Sequence, residues 1–180
     1  RNSLEEIIEQ AQRAGAINHM HRNFARKGEF QRAAVEVNDL VRQVARMMEY
    51  DSRQHNINFQ LDLKTPLPEI MANRIQIEQV LVNLIRNAIE AMADNQDNRE
   101  LTIQTNLDEN GDVTLAVIDC GNGFSADDAE RIFDSFYTTK PQGTGLGLTI
   151  CQTLVKIHNG KITAFVNSDK GATFRCTFPV

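Results

Sequence analysis

Residues Asn73 to Met92 most constrain what this chain can fold into. In "NRIQIEQVLVNLIRNAIEAM", Ile77, Leu81, Leu84, Ile85, Ala88 and Ile89 recur at three- and four-residue steps and form one apolar stripe. Asn83, Arg86, Asn87 and Glu90 fall on the stripe beside it. Asn73 with Gln76 three positions later predicts an N-cap and capping box. The apolar stripe must lie on a second layer, and the polar stripe is then free to face a ligand.

The remaining periodicity supplies that layer. Ile57, Phe59, Leu61 and Leu63 alternate as in a strand before "TPLPE" breaks the pattern. Strands are predicted over residues 101–107 and 113–119, flanking "DENGD" with its Asn110-Gly111 hairpin signal, and over 161–167 and 172–178 across "SDKG". Helical spacing covers Leu4 to Phe24, with Gly28 as its end, and a second pattern, Val37 through Met48, follows the Asn38-Asp39 pair. A short helix is expected from Ser125 to Ile132. Another runs through Leu146, Ile150, Leu154 and Ile157 to "HNG", where Gly160 is expected as the left-handed cap. This order predicts an α+β fold, with helices layered on a mixed, mainly antiparallel sheet and a bundle helix at the N-terminus.

Composition excludes several classes of partner. A net charge of −5 gives no basic footprint for nucleic acid. No run of about 18 apolar residues predicts a membrane contact. Cys120, Cys151 and Cys176 are widely spaced in apolar surroundings and suggest neither a disulfide framework nor a zinc site, so a reducing, cytoplasmic setting is expected. The chain opens "RNSLEEIIEQ", without Met and already in helical register, which reads as a piece of something longer.

Chemistry concentrates in four segments. "GTGLGL" places Gly143, Gly145 and Gly147 at alternate positions before a helix, where bare backbone amides and the helix N-terminus suit an oxyanion. The Gly-Lys-Ser/Thr of a Walker loop is absent, and no strand precedes the glycines as a dinucleotide fingerprint requires. In "DCGNGF", Asp119 ends an apolar strand and can accept from an exocyclic amine; alone, such an Asp equally reads as a turn initiator. Asn83 and Asn87, one turn apart, can offer amide oxygens to a hard cation, or can simply be solvated. "FDSFYTTK" reads as a hinged lid whose Thr138, Thr139 and Lys140 can turn toward phosphate.

In this order, "NLIRNAIEA", "DCGNGF", "FDSFYTTK" and "GTGLGL" resemble the N box, first glycine box, F box and second glycine box of sensor histidine kinases. The resemblance covers residues 35–180 and implies the Bergerat ATP-binding sandwich shared with gyrase and related ATPases. It implies ATP and Mg²⁺ as cofactors, with Asn87 holding the metal and Asn83 beside it. Asp119 would bond the adenine amine, Gly121 and Gly123 would shape the base pocket, and Gly143, Gly145 and Gly147 would cradle phosphate. Thr173 matches a sheet threonine that holds adenine through water. Glu90, Ala91, Phe124, Ile132, Phe133, Tyr137, Thr144, Leu146 and Leu148, from the same segments, complete the implied nucleotide contacts.

The short lid is most similar to the nitrogen- and oxygen-responsive subgroup, in which Lys140 is expected near the γ-phosphate. Ser135 stands where the F box usually has Pro, and Glu90 where some relatives place a Lys, so Arg86 or Lys140 must supply the positive charge. Residues 1–30 resemble the second helix of a dimerisation and phosphotransfer hairpin, and 31–180 the catalytic domain. The family's acceptor His is followed by an acidic residue. His19, His21, His55 and His158 are followed by Met, Arg, Asn and Asn, so none qualifies. The resemblance implies transfer of the γ-phosphoryl group to a histidine outside these residues, a homodimer through the hairpin, and relay to a response-regulator receiver domain. These residues alone are expected to bind ATP or ADP without autophosphorylating. A gyrase-like ATPase is disfavoured because Asn83 occupies the place of the water-activating Glu. A protein serine kinase and a non-catalytic nucleotide-binding dimerisation module are the other readings.

Overall fold

A computed structural model describes residues 31–93, 95, 99–129, 131–140 and 143–180. The expected N-terminal bundle helix, the domain boundary at residue 30, His19 and His21 lie outside the described residues.

The elements in chain order are β1 (Ala33–Val35), α1 (Val37–Gln54), β2 (Asn58–Leu63), β3 (Ile70–Ala72), α2 (Arg74–Ala91), β4 (Glu100–Leu107), β5 (Val113–Asp119), α3 (Ala126–Ala129), α4 (Gly147–Ile157), β6 (Lys161–Val166) and β7 (Ala172–Phe178). Five strands form one sheet in the order β2-β4-β5-β7-β6, and β1 pairs with β3 apart from it. β2 runs parallel to β4, and the remaining neighbours are antiparallel. This is the α+β sandwich expected from the sequence.

The apolar stripe of α2 lies wholly in the core: Ile77, Leu81, Leu84 and Ile85 are fully buried. They pack in one cluster with Leu101, Ile103, Leu115, Val117 and Phe178 from the sheet. Each such side chain contributes roughly 1.5–3 kcal/mol by leaving water. β4 alternates buried and half-buried positions, as an amphipathic strand must, while central β5 is buried along nearly its whole length.

Asn73 caps α2 as expected, its Oδ1 accepting from the Gln76 N–H at 3.2 Å. The return bond of a capping box is not made. The Asn73 N–H donates instead to His158 Nε2 at 3.0 Å, and Gln76 Oε1 is buried without a partner among the described residues. His158 Nδ1 meets the Leu154 carbonyl at 2.8 Å. Because Nε2 accepts, Nδ1 carries the proton and the ring is neutral. One imidazole thus joins the end of α4 to the start of α2.

Four expectations are corrected. The cap of α1 is Glu36, whose carboxylate accepts from the Asn38 and Asp39 N–H groups, and the helix continues past Met48 to Gln54. Its polar tail is anchored by Ser52, which is buried and donates to the Met48 carbonyl at 2.9 Å. The helix expected up to Ile132 is the single turn α3, closed by reciprocal Ser125 and Asp128 bonds. Its one large anchor, Ile132, packs into the core from the turns that follow. After α4, Asn159 and not Gly160 takes the left-handed conformation, with φ 58°. The short pair β1 and β3 was not expected at all.

Candidate functional site

Asp119 closes β5 and is buried. Both backbone donors near it converge on one carboxylate oxygen: Gly121 N–H at 2.8 Å and Ala172 N–H at 3.2 Å reach Oδ1. Among the described residues no donor is bonded to Oδ2, which is left to accept from a ligand. Burial raises the Asp119 carboxyl above the ordinary carboxylate range, opposed by those two N–H groups and by the charge of Lys140. A dry acceptor with one oxygen saturated can distinguish an amine from a carbonyl at the same place.

The base-side loop lies against the end of α2, since the Asn122 N–H donates to the Ala91 carbonyl at 3.3 Å. Phe124 packs against Phe174 with ring centroids 6.2 Å apart, placing an aromatic wall beside the strand that carries the Asp119 partner Ala172. The Thr173 hydroxyl donates to Asn167 Oδ1 at 2.7 Å, and Asn167 Nδ2 in turn donates to the Asp119 main-chain oxygen at 2.9 Å.

Asn87 is half-buried on α2, one turn before Ala91 and about 6 Å away along the axis. Its Nδ2 lies 3.9 Å from the place a Cβ would occupy on Gly147, the first residue of α4. Among the described residues its carboxamide has no hydrogen-bond partner. The N-cap of α4, Leu146, offers no side-chain bond, so the N–H groups of this turn are uncapped beside Asn87. A carboxamide beside an uncapped helix start brings an oxygen ligand and N–H donors together, a set suited to a hard cation and the oxyanion it neutralises. Asn83 lies beside the Cys151 thiol in the α2–α4 contact, and that thiol donates to the Val80 carbonyl at 3.8 Å. Burial pushes that thiol up to about 12, which makes it an unreactive core group.

The lid segment crosses both ends. Phe136, with φ 67°, donates its N–H to the Gly145 carbonyl at 3.0 Å, and Gly145 itself has φ 65°. A Cβ on Gly145 would overlap the Phe136 backbone, so the lid and the second glycine segment close on each other only with glycine there. Thr149 Oγ1 ties the first turn of α4 to the Phe133 carbonyl at 3.2 Å. Tyr137 bonds Asp128 and carries Arg131 over its ring at 4.5 Å. Lys140 Nζ is paired with Glu90 Oε2 at 2.6 Å, whereas Arg86 is exposed on α2. Ile132 and Leu146 are buried beneath the lid, Gly143 and Thr144 are half-buried, and Thr138 and Thr139 are exposed.

The structure therefore strings Asn87, Glu90 and Ala91 along one turn of α2 and brings Gly147, Lys140 and the Asp119 loop to them. Sequence reasoning missed Asn95, Asn167 and Lys170, whose side chains bond the Asp119 loop or one another. The "SDKG" turn carried no signal beyond a strand connection.

Residues 72–180 match the family described as histidine kinase-, DNA gyrase B- and HSP90-like ATPase. The sensor protein FixL of Bradyrhizobium diazoefficiens is 36% identical over 178 residues, covering 99% of this chain and 35% of FixL, so the chain spans about a third of that relative. Full-length ShkA in complex with AMPPNP superposes with a TM-score of 0.74 at 29% identity, over 84% of this chain and 31% of ShkA. Histidine kinase ThkA in complex with response regulator TrrA does so with a TM-score of 0.77 at 28% identity, over 96% of this chain and 49% of the other.

Proposed function

The chain belongs to the histidine kinase-, DNA gyrase B- and HSP90-like ATPase family, as the ATP-binding catalytic domain of a sensor histidine kinase, and on that premise we propose that it presents Mg·ATP to a histidine outside these residues. The observation that carries the reading is Asp119: a buried carboxylate with Oδ1 saturated by two backbone N–H groups and Oδ2 available to the adenine amine. The Asp119 loop and the Phe124 ring would hold the base. The uncapped start of α4 would receive the phosphates, and Asn87 would hold Mg²⁺ through its amide oxygen. The metal supplies neutralisation of phosphate charge.

What the protein's own groups contribute is positioning and electrostatics. Lys140, paired with the exposed Glu90 carboxylate, would be the cation that exchanges that partner for the γ-phosphate. The base that deprotonates the acceptor belongs to the phosphotransfer hairpin. In the whole protein the chain pairs with a second copy through that hairpin, works in the cytoplasm, and passes the phosphoryl group on to a receiver domain. ThkA bound to TrrA supports that partner class. No helix among the described residues is long and apolar enough to cross a membrane.

A hydrolytic role is the second reading. The candidate to orient water, Asn83, is a carboxamide, which cannot take up a proton as a carboxylate can. Incubation with radiolabelled ATP and a separately purified acceptor hairpin tests the proposal. Label should pass to the hairpin and not to the chain alone. Steady release of inorganic phosphate without labelling would instead support the hydrolytic reading.

A further inference from the structure

The turn between β6 and β7, residues 167–171, lies directly behind Asp119. Asn167 Nδ2 donates to the Asp119 main-chain oxygen at 2.9 Å across 48 residues of sequence. Thr173 Oγ1 donates to the other end of that amide, Oδ1, at 2.7 Å. The carboxamide is therefore fixed in orientation as well as in place. Gly171 has φ 93°, and any Cβ on it would overlap the same Asp119 carbonyl, so the turn closes this tightly only with glycine.

The next carbonyl is held in the same way. Asn95 is buried, and its Nδ2 donates to the Cys120 oxygen at 2.7 Å across 25 residues. Lys170 Nζ, from the β6–β7 turn, donates to Asn95 Oδ1 at 2.7 Å. Two carboxamides from distant loops thus grip consecutive peptide groups, and each is held by a second side chain. These are the peptides that follow the Asp119 Cα, so they set where the carboxylate stands relative to Gly121 and Ala172.

We infer that Asn167 with Thr173, and Asn95 with Lys170, are positioning residues for base recognition: by fixing the two peptides after Asp119 they aim its free oxygen at an exocyclic amine and so set the preference for adenine. The inference rests on the reading of Asp119 as the adenine acceptor. Asn167, Asn95 and Lys170 need not touch nucleotide. A general loosening of the fold would weaken every nucleotide alike, whereas loss of aim weakens only the ligand that has an amine to donate.

Calorimetric affinities of the purified chain for Mg·ATP and Mg·ITP separate these outcomes, because inosine carries a carbonyl where adenine carries the amine. The unmodified chain should prefer ATP. Asn167→Ala should weaken ATP about tenfold while leaving ITP within about twofold, the scale of one lost buried hydrogen bond. Lys170→Met, which removes the donor to Asn95 Oδ1, should move the ratio in the same direction by a smaller factor, and it carries the test if Asn167→Ala does not fold. An unchanged ratio in the variants, or an equal loss of both nucleotides, overturns the inference while leaving Asp119 as the acceptor. Absence of any preference in the unmodified chain overturns the Asp119 reading, and the inference with it.

Discussion

The Lys140 ammonium lies 2.6 Å from the Glu90 carboxylate, joining the lid to the helix that carries Asn87 one turn earlier. Both side chains are substantially exposed, so the pair contributes at most about 1 kcal/mol to stability. Its importance lies in competition: a phosphate that recruits Lys140 must displace Glu90. Glu90→Gln should therefore leave the melting temperature nearly unchanged and tighten Mg·ATP roughly two- to fivefold in a calorimetric titration, the scale of an exposed ion pair. Lys140→Ala should slow transfer to a supplied hairpin more than it weakens binding.

Asp119 should trade stability for recognition. Burial holds its carboxyl above the ordinary value, so its ionised form is disfavoured in the fold. For a raised acid, the favourable contribution is complete below the unfolded value and is lost as pH rises through the folded one, which leaves a cost at neutral pH. Asp119→Asn should match or exceed the unmodified stability by about 1 kcal/mol in chemical denaturation, since the amide oxygen can still accept from Gly121 and Ala172. Affinity for ATP should fall on the order of a hundredfold, because an amide donor would then meet an amine donor. The affinity of the unmodified chain should decline as pH falls through the raised value, and the variant should show no such limb.

His158 should govern acid stability. Burial, with a further contribution from the charge of Arg32, holds the ring below its ordinary value, and its neutral form accepts the Asn73 N–H. For this depressed base, stability is fully present above the unfolded value of about 6.5 and is lost as pH falls through the folded one. Denaturation midpoints between neutral and mildly acidic pH should show that decline. His158→Phe should flatten it and cost about 1–2 kcal/mol at neutral pH by leaving the α2 cap donor without its acceptor.

Two glycines should separate fold from function. Gly145→Ala forces a Cβ into the Phe136 backbone at φ 65°, so it should destabilise by about 1–2 kcal/mol or more and release the lid. Gly147→Ala meets only Asn87 Nδ2, at 3.9 Å, and sits in the first turn of α4. It should leave the melting temperature unchanged or raised while weakening Mg·ATP, because the methyl group fills the space between Asn87 and the helix start.

How much of this was legible in the sequence follows the range of each interaction. The α2 stripe, the Asn73 cap and the alternation of β4 are encoded by neighbours within one or two turns, and each appears where periodicity predicted it. β1 and β3 have three residues each, too few to show a period. The single turn α3 lacked an apolar stripe to extend it. The partner of the Asn73 N–H, His158, lies 85 residues away, and the Asn167 and Asn95 bonds to the Asp119 loop span 48 and 25 residues. Spacing placed Asn83 and Asn87 on one face, but only packing against α4 set one beside Cys151 and the other beside Gly147.

The most direct test of the central claim is a crystal structure of the purified chain with magnesium and a non-hydrolysable ATP analogue. The adenine amine is expected on Asp119 Oδ2, with the metal coordinated by the Asn87 amide oxygen and the phosphates at the start of α4. A base seated away from Asp119, or a metal with no bond to Asn87, would contradict the account.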